Sequence, residues 1–233
     1  MTIRVIFTLI SICLAVSSHR FAGAGEPAAT TRGRPWVTPE IMAPGGRSTR
    51  SKALPRLETV IVKELVPHID VTYRTLATRE GRLLDGYSMG GSGAARLGFK
   101  YPDLFRAVSI MGGGPLQADL LDDAPRAGRR RATEVLAQVY GDDPEYFRLV
   151  SPRALAEQHA EAIKRGSLIR IVCGAEDETF ANNRDFHEHL ARLGIPHMWT
   201  VLAGVDHNPR RTLEALGDSN WACYRQAFAQ RER

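Results

Sequence analysis

The pentapeptide Gly86-Tyr87-Ser88-Met89-Gly90 constrains this chain more than any other feature, because of what stands on either side of it. Before it, Arg82-Leu83-Leu84-Asp85-Gly86-Tyr87 reads as a short strand. After it, Gly90-Gly91-Ser92-Gly93-Ala94-Ala95 opens a helix almost without side-chain bulk that runs to Tyr101-Pro102. G-x-S-x-G at such a junction is the turn that lifts a serine Oγ above the edge of a sheet, since only small neighbours let strand and helix approach so closely. With Gly and Ser each near 7% of residues, chance supplies roughly 0.08 matches in a chain of 233 residues. The simpler alternative is a Gly-rich turn with an incidental serine, and the setting argues against it.

A serine hydroxyl needs a base, and the base needs an orienting carboxylate, which in folds with this turn follow in the order acid, then histidine. The strand-like run Ser167-Leu168-Ile169-Arg170-Ile171-Val172-Cys173 ends in Gly174-Ala175-Glu176-Asp177-Glu178. The next one, Met198 to Leu202, ends in Ala203-Gly204-Val205-Asp206-His207. A parallel sheet places both loops on the rim that carries Ser88. Asp177 is assigned as the acid and Glu176 stands next in line, whereas Asp206 is too close in sequence to His207 to reach its far ring nitrogen. His187-Glu188-His189 suggests a metal pair only until one notes that helix positions i and i+2 do not share a face. His68, His159 and His197 read as surface or packing residues, and no metal or cofactor is expected.

The remaining texture is that of an α/β protein. Leu57, Val60, Ile61, Leu65 and Val66 recur at helical spacing, and Pro67 is expected to end or kink that helix. Ala107-Val108-Ser109-Ile110-Met111 is a strand closed by Gly112-Gly113-Gly114-Pro115. Residues 116–166 read as helical and polar with a break at Tyr140 to Phe147, and Phe180 to Leu193 as an amphipathic helix. In the last helix, Trp221, Tyr224 and Phe228 fall on one face, expected to pack on the core. Strands alternating with helices predict a mostly parallel sheet covered on both faces. A composition of 43% hydrophobic and 24% charged residues excludes disorder and fibrous repeats.

The N-terminus reads differently. Arg4, the apolar run Val5 to Val16 and Ala22-Gly23-Ala24 form the pattern of a signal peptide over residues 1–24, too short for a span of about 20 apolar residues. Export, secreted or periplasmic and without a membrane anchor, is the expectation; Ile12 before Cys13 argues against a lipoprotein signal. Residues 25–53 are a Pro/Gly-rich lead-in, with Ile41-Met42-Ala43 its one strand-like piece, and residues 54–233 form the main domain. The net charge of +5 loses Arg4 and Arg20 with the leader, which leaves a mildly basic chain. The cluster Arg126 to Arg131 has no interleaved aromatics and reads as a solvated loop, so no nucleic-acid partner is expected. Cys173 and Cys223 remain after processing, as buried thiols or as one disulfide.

With these residues in view, the chain from about Leu57 onward resembles the esterase family of the α/β-hydrolases that includes feruloyl and acetyl-xylan esterases and S-formylglutathione hydrolase. The resemblance rests on Lys63-Glu64-Leu65-Val66-Pro67-His68-Ile69-Asp70 with Tyr73-Arg74, on Gly86 to Gly91, and on Lys100-Tyr101-Pro102-Asp103-Leu104-Phe105. Cys173-Gly174-Ala175-Glu176-Asp177 and the Gly204 to His207 loop complete it. It implies an α/β-hydrolase fold with Ser88 as nucleophile, Asp177 as orienting acid, His207 as base and the Met89 backbone N–H as one oxyanion donor. It implies a secreted serine esterase acting on a small-molecule or polysaccharide ester; a truncated non-catalytic binding module and an acyltransferase to sugars are the alternatives.

Two departures from the family stand out. Pro209 occupies the position where relatives usually have Trp. The lead-in also lacks the His-Gly turn that supplies the second oxyanion N–H in the family, with Gly45 and Gly46 the nearest substitutes. The sheet is then N-terminally shortened to about five strands, with an open edge beside the serine strand where a second copy could pair. Loss of one oxyanion donor typically costs about 10² to 10³ in turnover.

Overall fold

Three strands rich in Leu, Ile and Val lie side by side at the centre: β2 (Arg82–Tyr87), β3 (Ala107–Met111) and β4 (Leu168–Gly174). They extend on one side to β1 (Val5–Leu9) and on the other to β5 (Met198–Leu202), in the order β1-β2-β3-β4-β5 with every pairing parallel. The computed structural model describes residues 5–9, 57–121 and 126–229. Continuous apolar runs rather than alternating ones are what a parallel sheet buried on both faces requires.

The helices are α1 (Val66–Thr72), α2 (Met89–Lys100), α3 (Arg126–Val139), α4 (Pro144–Val150), α5 (Pro152–Gln158), α6 (Ala160–Lys164), α7 (Phe180–Arg192), α8 (Pro209–Leu216) and α9 (Asp218–Phe228). On one face of the sheet Leu84, Val108, Ile110, Ile169 and Ile171 form the main core with Phe99 of α2 and Phe186 and Leu190 of α7. On the other face Leu83 and Ala107 pack under Tyr224, Ala227 and Phe228 of α9. The helical backbone runs on through Pro67. The preceding turns, Val60–Leu65, widen to a π-helix, with Val66 N–H donating to Ile61 O, and this break in the regular ladder accommodates a residue that has no N–H to donate.

Several expectations need correction. The edge expected open beside the serine strand is occupied, because β1 pairs with β2 from Val5↔Arg82 to Leu9↔Gly86. V-I-F-T-L is β-branched and aromatic, a composition suited equally to a buried strand and to the apolar core of a leader. These two uses exclude each other within one molecule, since cleavage after Ala24 removes the strand. Ile41 to Ala43, Gly45 and Gly46 lie outside the described residues. The basic cluster forms the first turns of α3 rather than a loop; Arg129 and Arg130 remain solvated, as expected for charges at helix positions without a core to face. Trp221 is 56% exposed, because the buried stripe of α9 runs through Asn220 and Ala227 and leaves Trp221 at its margin.

One row across the sheet is polar. Asp85, Ser109 and Arg170 are register neighbours on β2, β3 and β4, and all are buried. The Arg170 guanidinium donates to Ser109 Oγ (2.8 Å) and Asn220 Oδ1 (2.6 Å), and Tyr224 Oη donates to Asp85 Oδ2 (3.0 Å). The Arg170 and Asp85 charges stand 3.9 Å apart. These bonds clamp α9 onto the sheet beneath the Ser88 strand.

Candidate active site

Ser88 sits where β2 stops and α2 starts, with φ 55 and ψ −121, a backbone conformation costly for a residue with a Cβ. Two glycines make that turn feasible. A Cβ at Gly86 would lie 2.1 Å from the Gly90 carbonyl oxygen, and one at Gly91 would press on Gly113. The elbow is held from below as well, since Ser88 N–H donates to Met111 O (2.9 Å) and Gly114 N–H donates to Ser88 O (3.0 Å). Met89 is the first residue of α2, so its backbone N–H has no partner within the helix and adds to the positive end of the helix dipole.

The loops after β4 and β5 arrive at the same rim. Gly174 lets them meet, because a Cβ there would lie 2.0 Å from Val205 O, and Glu176 N–H donates to that same oxygen (3.0 Å). The result brings three of the residues singled out from sequence into one line. Ser88 Oγ lies 2.9 Å from His207 Nε2, and His207 Nδ1 lies 2.9 Å from both Asp177 oxygens. Glu176 and Glu178 point to solvent, and Asp206 accepts instead from Arg211 (2.9 Å). Pro209 opens α8, whose N-cap Asn208 accepts from Arg210 N–H and Arg211 N–H, so the residues after His207 are fixed by a capped helix start.

Asp177 is buried, its side chain only 1% exposed, whereas the His207 side chain keeps 26% exposure toward the rim. Burial alone would raise the Asp177 carboxyl. Hydrogen bonds from His207, from Thr179 N–H and from the Thr179 hydroxyl outweigh that effect and hold it below the ordinary carboxylate value. The arrangement therefore keeps an anion beside the imidazole. Tyr87 leans on His207 with ring centroids 5.0 Å apart, and burial followed by the Asp177 charge pushes its hydroxyl well above the usual tyrosine range. Cys173 lies behind the acid loop, where burial and then Asp177 push its thiol up to about 12, and both Cys173 and Cys223 are free thiols.

The other histidines go elsewhere. His187 stacks on Trp199 (centroids 5.2 Å apart) and its Nδ1 is 2.7 Å from His197 Nε2, while buried His189 turns toward Glu157. His68 contacts Thr72 on α1. Among the described residues there is no group of three or more metal-ligating side chains, and no helix long and apolar enough to cross a membrane.

Sequence reasoning missed Thr179, Asn183 and the Tyr87 ring. The first two carry a signal only in hindsight of the fold: Asp177-x-Thr179 opening a helix, followed one turn later by Asn183. The source of a second oxyanion donor is not among the residues just described. The C-terminal end of β1 opposes Gly86, two residues before Ser88, and so points toward that rim.

Comparison with known proteins agrees with this frame. An esterase of Mycobacterium tuberculosis, found in both the H37Rv and CDC 1551 strains, is 31% identical over 157 residues, covering 60% of this chain and 34% of the relative. The chain thus spans about a third of the length of the curated relatives it matches. The substrate-bound fluorophosphonate-binding serine hydrolase F of Staphylococcus aureus superposes with a TM-score of 0.57 at 18% identity, over 73% of this chain and 63% of that one. A ferulic acid esterase of the anaerobic fungus Anaeromyces mucronatus, in complex with ferulic acid, gives 0.55 at 20% identity, over 74% and 55%. Both likenesses concern the fold, which is that of the α/β-hydrolases. Residues 45–233 match the family described as "Putative esterase", and the chain belongs to it.

Proposed function

We propose that this chain hydrolyses carboxylic esters through an acyl-enzyme formed on Ser88. The observation that carries the reading is the continuous hydrogen-bonded line from Ser88 Oγ through His207 to the buried Asp177 carboxylate, set on a strained elbow at the sheet edge. His207 Nε2 takes the Ser88 proton as Oγ attacks the ester carbonyl, and Asp177 stabilises the imidazolium that results. The carbonyl oxygen becomes an oxyanion in front of α2, where the Met89 N–H faces it. Collapse expels the alcohol, which receives the proton from His207. Water then repeats the sequence on the acyl-Ser88 ester and releases the carboxylic acid.

The half-exposed Met89 side chain beside Ser88 provides an apolar contact suited to an aryl or short acyl ester. Family membership and the feruloyl-esterase-like fold support the same substrate class, and an ester borne on an extracellular carbohydrate is the extension favoured by the leader-like N-terminus. The test is direct. Ser88→Ala should abolish turnover of an aryl acetate and labelling by a fluorophosphonate probe, with the fold retained because the hydroxyl supports no core contact. Turnover within a few-fold of wild type would refute the assignment. Capture of the acyl group by added sugar in preference to water would convert the reading to acyl transfer.

A further inference from the structure

One buried side chain near the triad has no part in the proposed mechanism. Asn183, on the first turns of α7, is fully buried at 0% exposure, yet all its polar atoms are engaged. Its Oδ1 accepts from Gly113 N–H (3.1 Å), and its Nδ2 donates to Gly113 O (2.8 Å), Thr179 O (2.9 Å) and Thr179 Oγ1 (3.0 Å). The double contact with Gly113 fixes which end of the amide is NH₂, since a flip would aim an oxygen at two carbonyls.

That orientation has a consequence for Thr179. An NH₂ group can only donate, and its two hydrogens are shared among Gly113 O, Thr179 O and Thr179 Oγ1, so the Thr179 hydroxyl cannot donate to Asn183 and directs its own hydrogen elsewhere. Asp177 Oδ1 lies 2.7 Å away, and Cys173 Sγ, the other acceptor near it among the described residues, is weak and stands at 3.8 Å. Asp177 Oδ1 also accepts from Thr179 N–H at 2.7 Å. A relay therefore runs from Asn183 through Thr179 to Asp177 and His207. The same Asn183 amide grips Gly113, whose neighbour Gly114 holds the carbonyl of Ser88, so one buried side chain ties the acid loop to the backbone behind the serine.

We propose that Thr179 and Asn183 are positioning residues of the site: Asn183 sets the direction of the Thr179 hydroxyl, and Thr179 aims the Asp177 carboxylate at His207. This rests on the ester-hydrolase reading above. Thr179→Val keeps the shape and the backbone N–H but removes the hydroxyl. It is expected to lower kcat on an aryl acetate about 10- to 100-fold, the fold-change that corresponds to losing one hydrogen bond to a charged carboxylate, with KM within twofold. Thr179→Ser, which restores the hydroxyl, should recover most of kcat.

Two further readouts separate positioning from mere support of the fold. The low-field proton resonance of the His207–Asp177 bond should shift or broaden in Thr179→Val and return in Thr179→Ser. Asn183→Ala should also lower kcat, and it should cost less in the Thr179→Val background than in wild type, because the part of its effect that acts through the Thr179 hydroxyl is then already lost. If Thr179→Val turns over within twofold of wild type while Ser88→Ala is dead, the positioning role is refuted and the triad stands. A Thr179→Ser variant as slow as Thr179→Val, or additive losses in the double variant, would likewise overturn it. An active Ser88→Ala would instead sink the hydrolase reading itself.

Discussion

Replacing Asp177 by Asn changes one atom and, in this structure, reverses the direction of a hydrogen bond. Asp177 Oδ1 faces two donors, the N–H and the hydroxyl of Thr179, each at 2.7 Å. An amide at residue 177 must keep its oxygen there, which forces its NH₂ into the place of Oδ2, 2.9 Å from His207 Nδ1. The retained oxygen is also 2.9 Å from His207 Nδ1 but is already taken by the two Thr179 donors, so Nδ1 accepts from the NH₂ and the ring proton moves to Nε2, the atom facing Ser88 Oγ at 2.9 Å. A base that already carries the proton cannot remove one. The same exchange in the well-studied serine-protease triad lowers kcat by about 10⁴, equivalent to about 5 kcal/mol of transition-state stabilisation.

Packing is unchanged by this substitution, so the fold should be retained, less the electrostatic contribution of the ionised carboxylate, and the main loss should fall on kcat. The assay is steady-state hydrolysis of an aryl acetate by wild type, Asp177→Asn and Glu176→Gln, with thermal melts of each. Glu176→Gln should sit within a few-fold of wild type because its carboxylate is solvent-exposed. Asp177→Asn within tenfold of wild type would refute the tautomer argument, and a collapse in Glu176→Gln would move the acid to Glu176.

Three other outcomes follow from the packing and electrostatics. Arg170→Met should lower unfolding free energy in urea by about 3 to 5 kcal/mol, because it strands Asp85 in the core, and Asp85→Ala in the same chain should recover part of the loss. Asp177 has its pKa depressed by folding, so its contribution to stability is full above the ordinary value of 3.8 and is lost as pH falls through the lower folded value; wild-type Tm should drop across that acid window more steeply than that of Asp177→Asn. A 25–233 form lacks β1 and bares the β2 edge, so it should melt lower and associate more than the 1–233 chain; an equally stable monomer would show that β1 is dispensable, and N-terminal sequencing of the protein recovered from its natural host would show which form exists.

Much of the site was legible in the sequence because its parts sit at strand ends. G-x-S-x-G between an apolar run and a small-residue run, Asp177 after one strand and His207 after the next, follow from local composition and from the rule that parallel strands end on one rim. Where local pattern serves two structures equally, sequence stops. Val5 to Leu9 fits a leader or a strand, and only pairing with Arg82 to Gly86 makes it β1. Trp221 has the spacing of a core residue, yet a helix stripe is centred by what lies beneath it, and the sheet selects Asn220 and Ala227 instead. Arg170 looks misplaced in an apolar strand until register sets it beside Ser109 and below Asn220. Thr179 and Asn183 are ordinary polar residues in a list of letters. Their role depends on hydrogen-bond direction among groups 70 positions apart in the chain, Gly113 and Asn183, which folding alone brings to 3.1 Å.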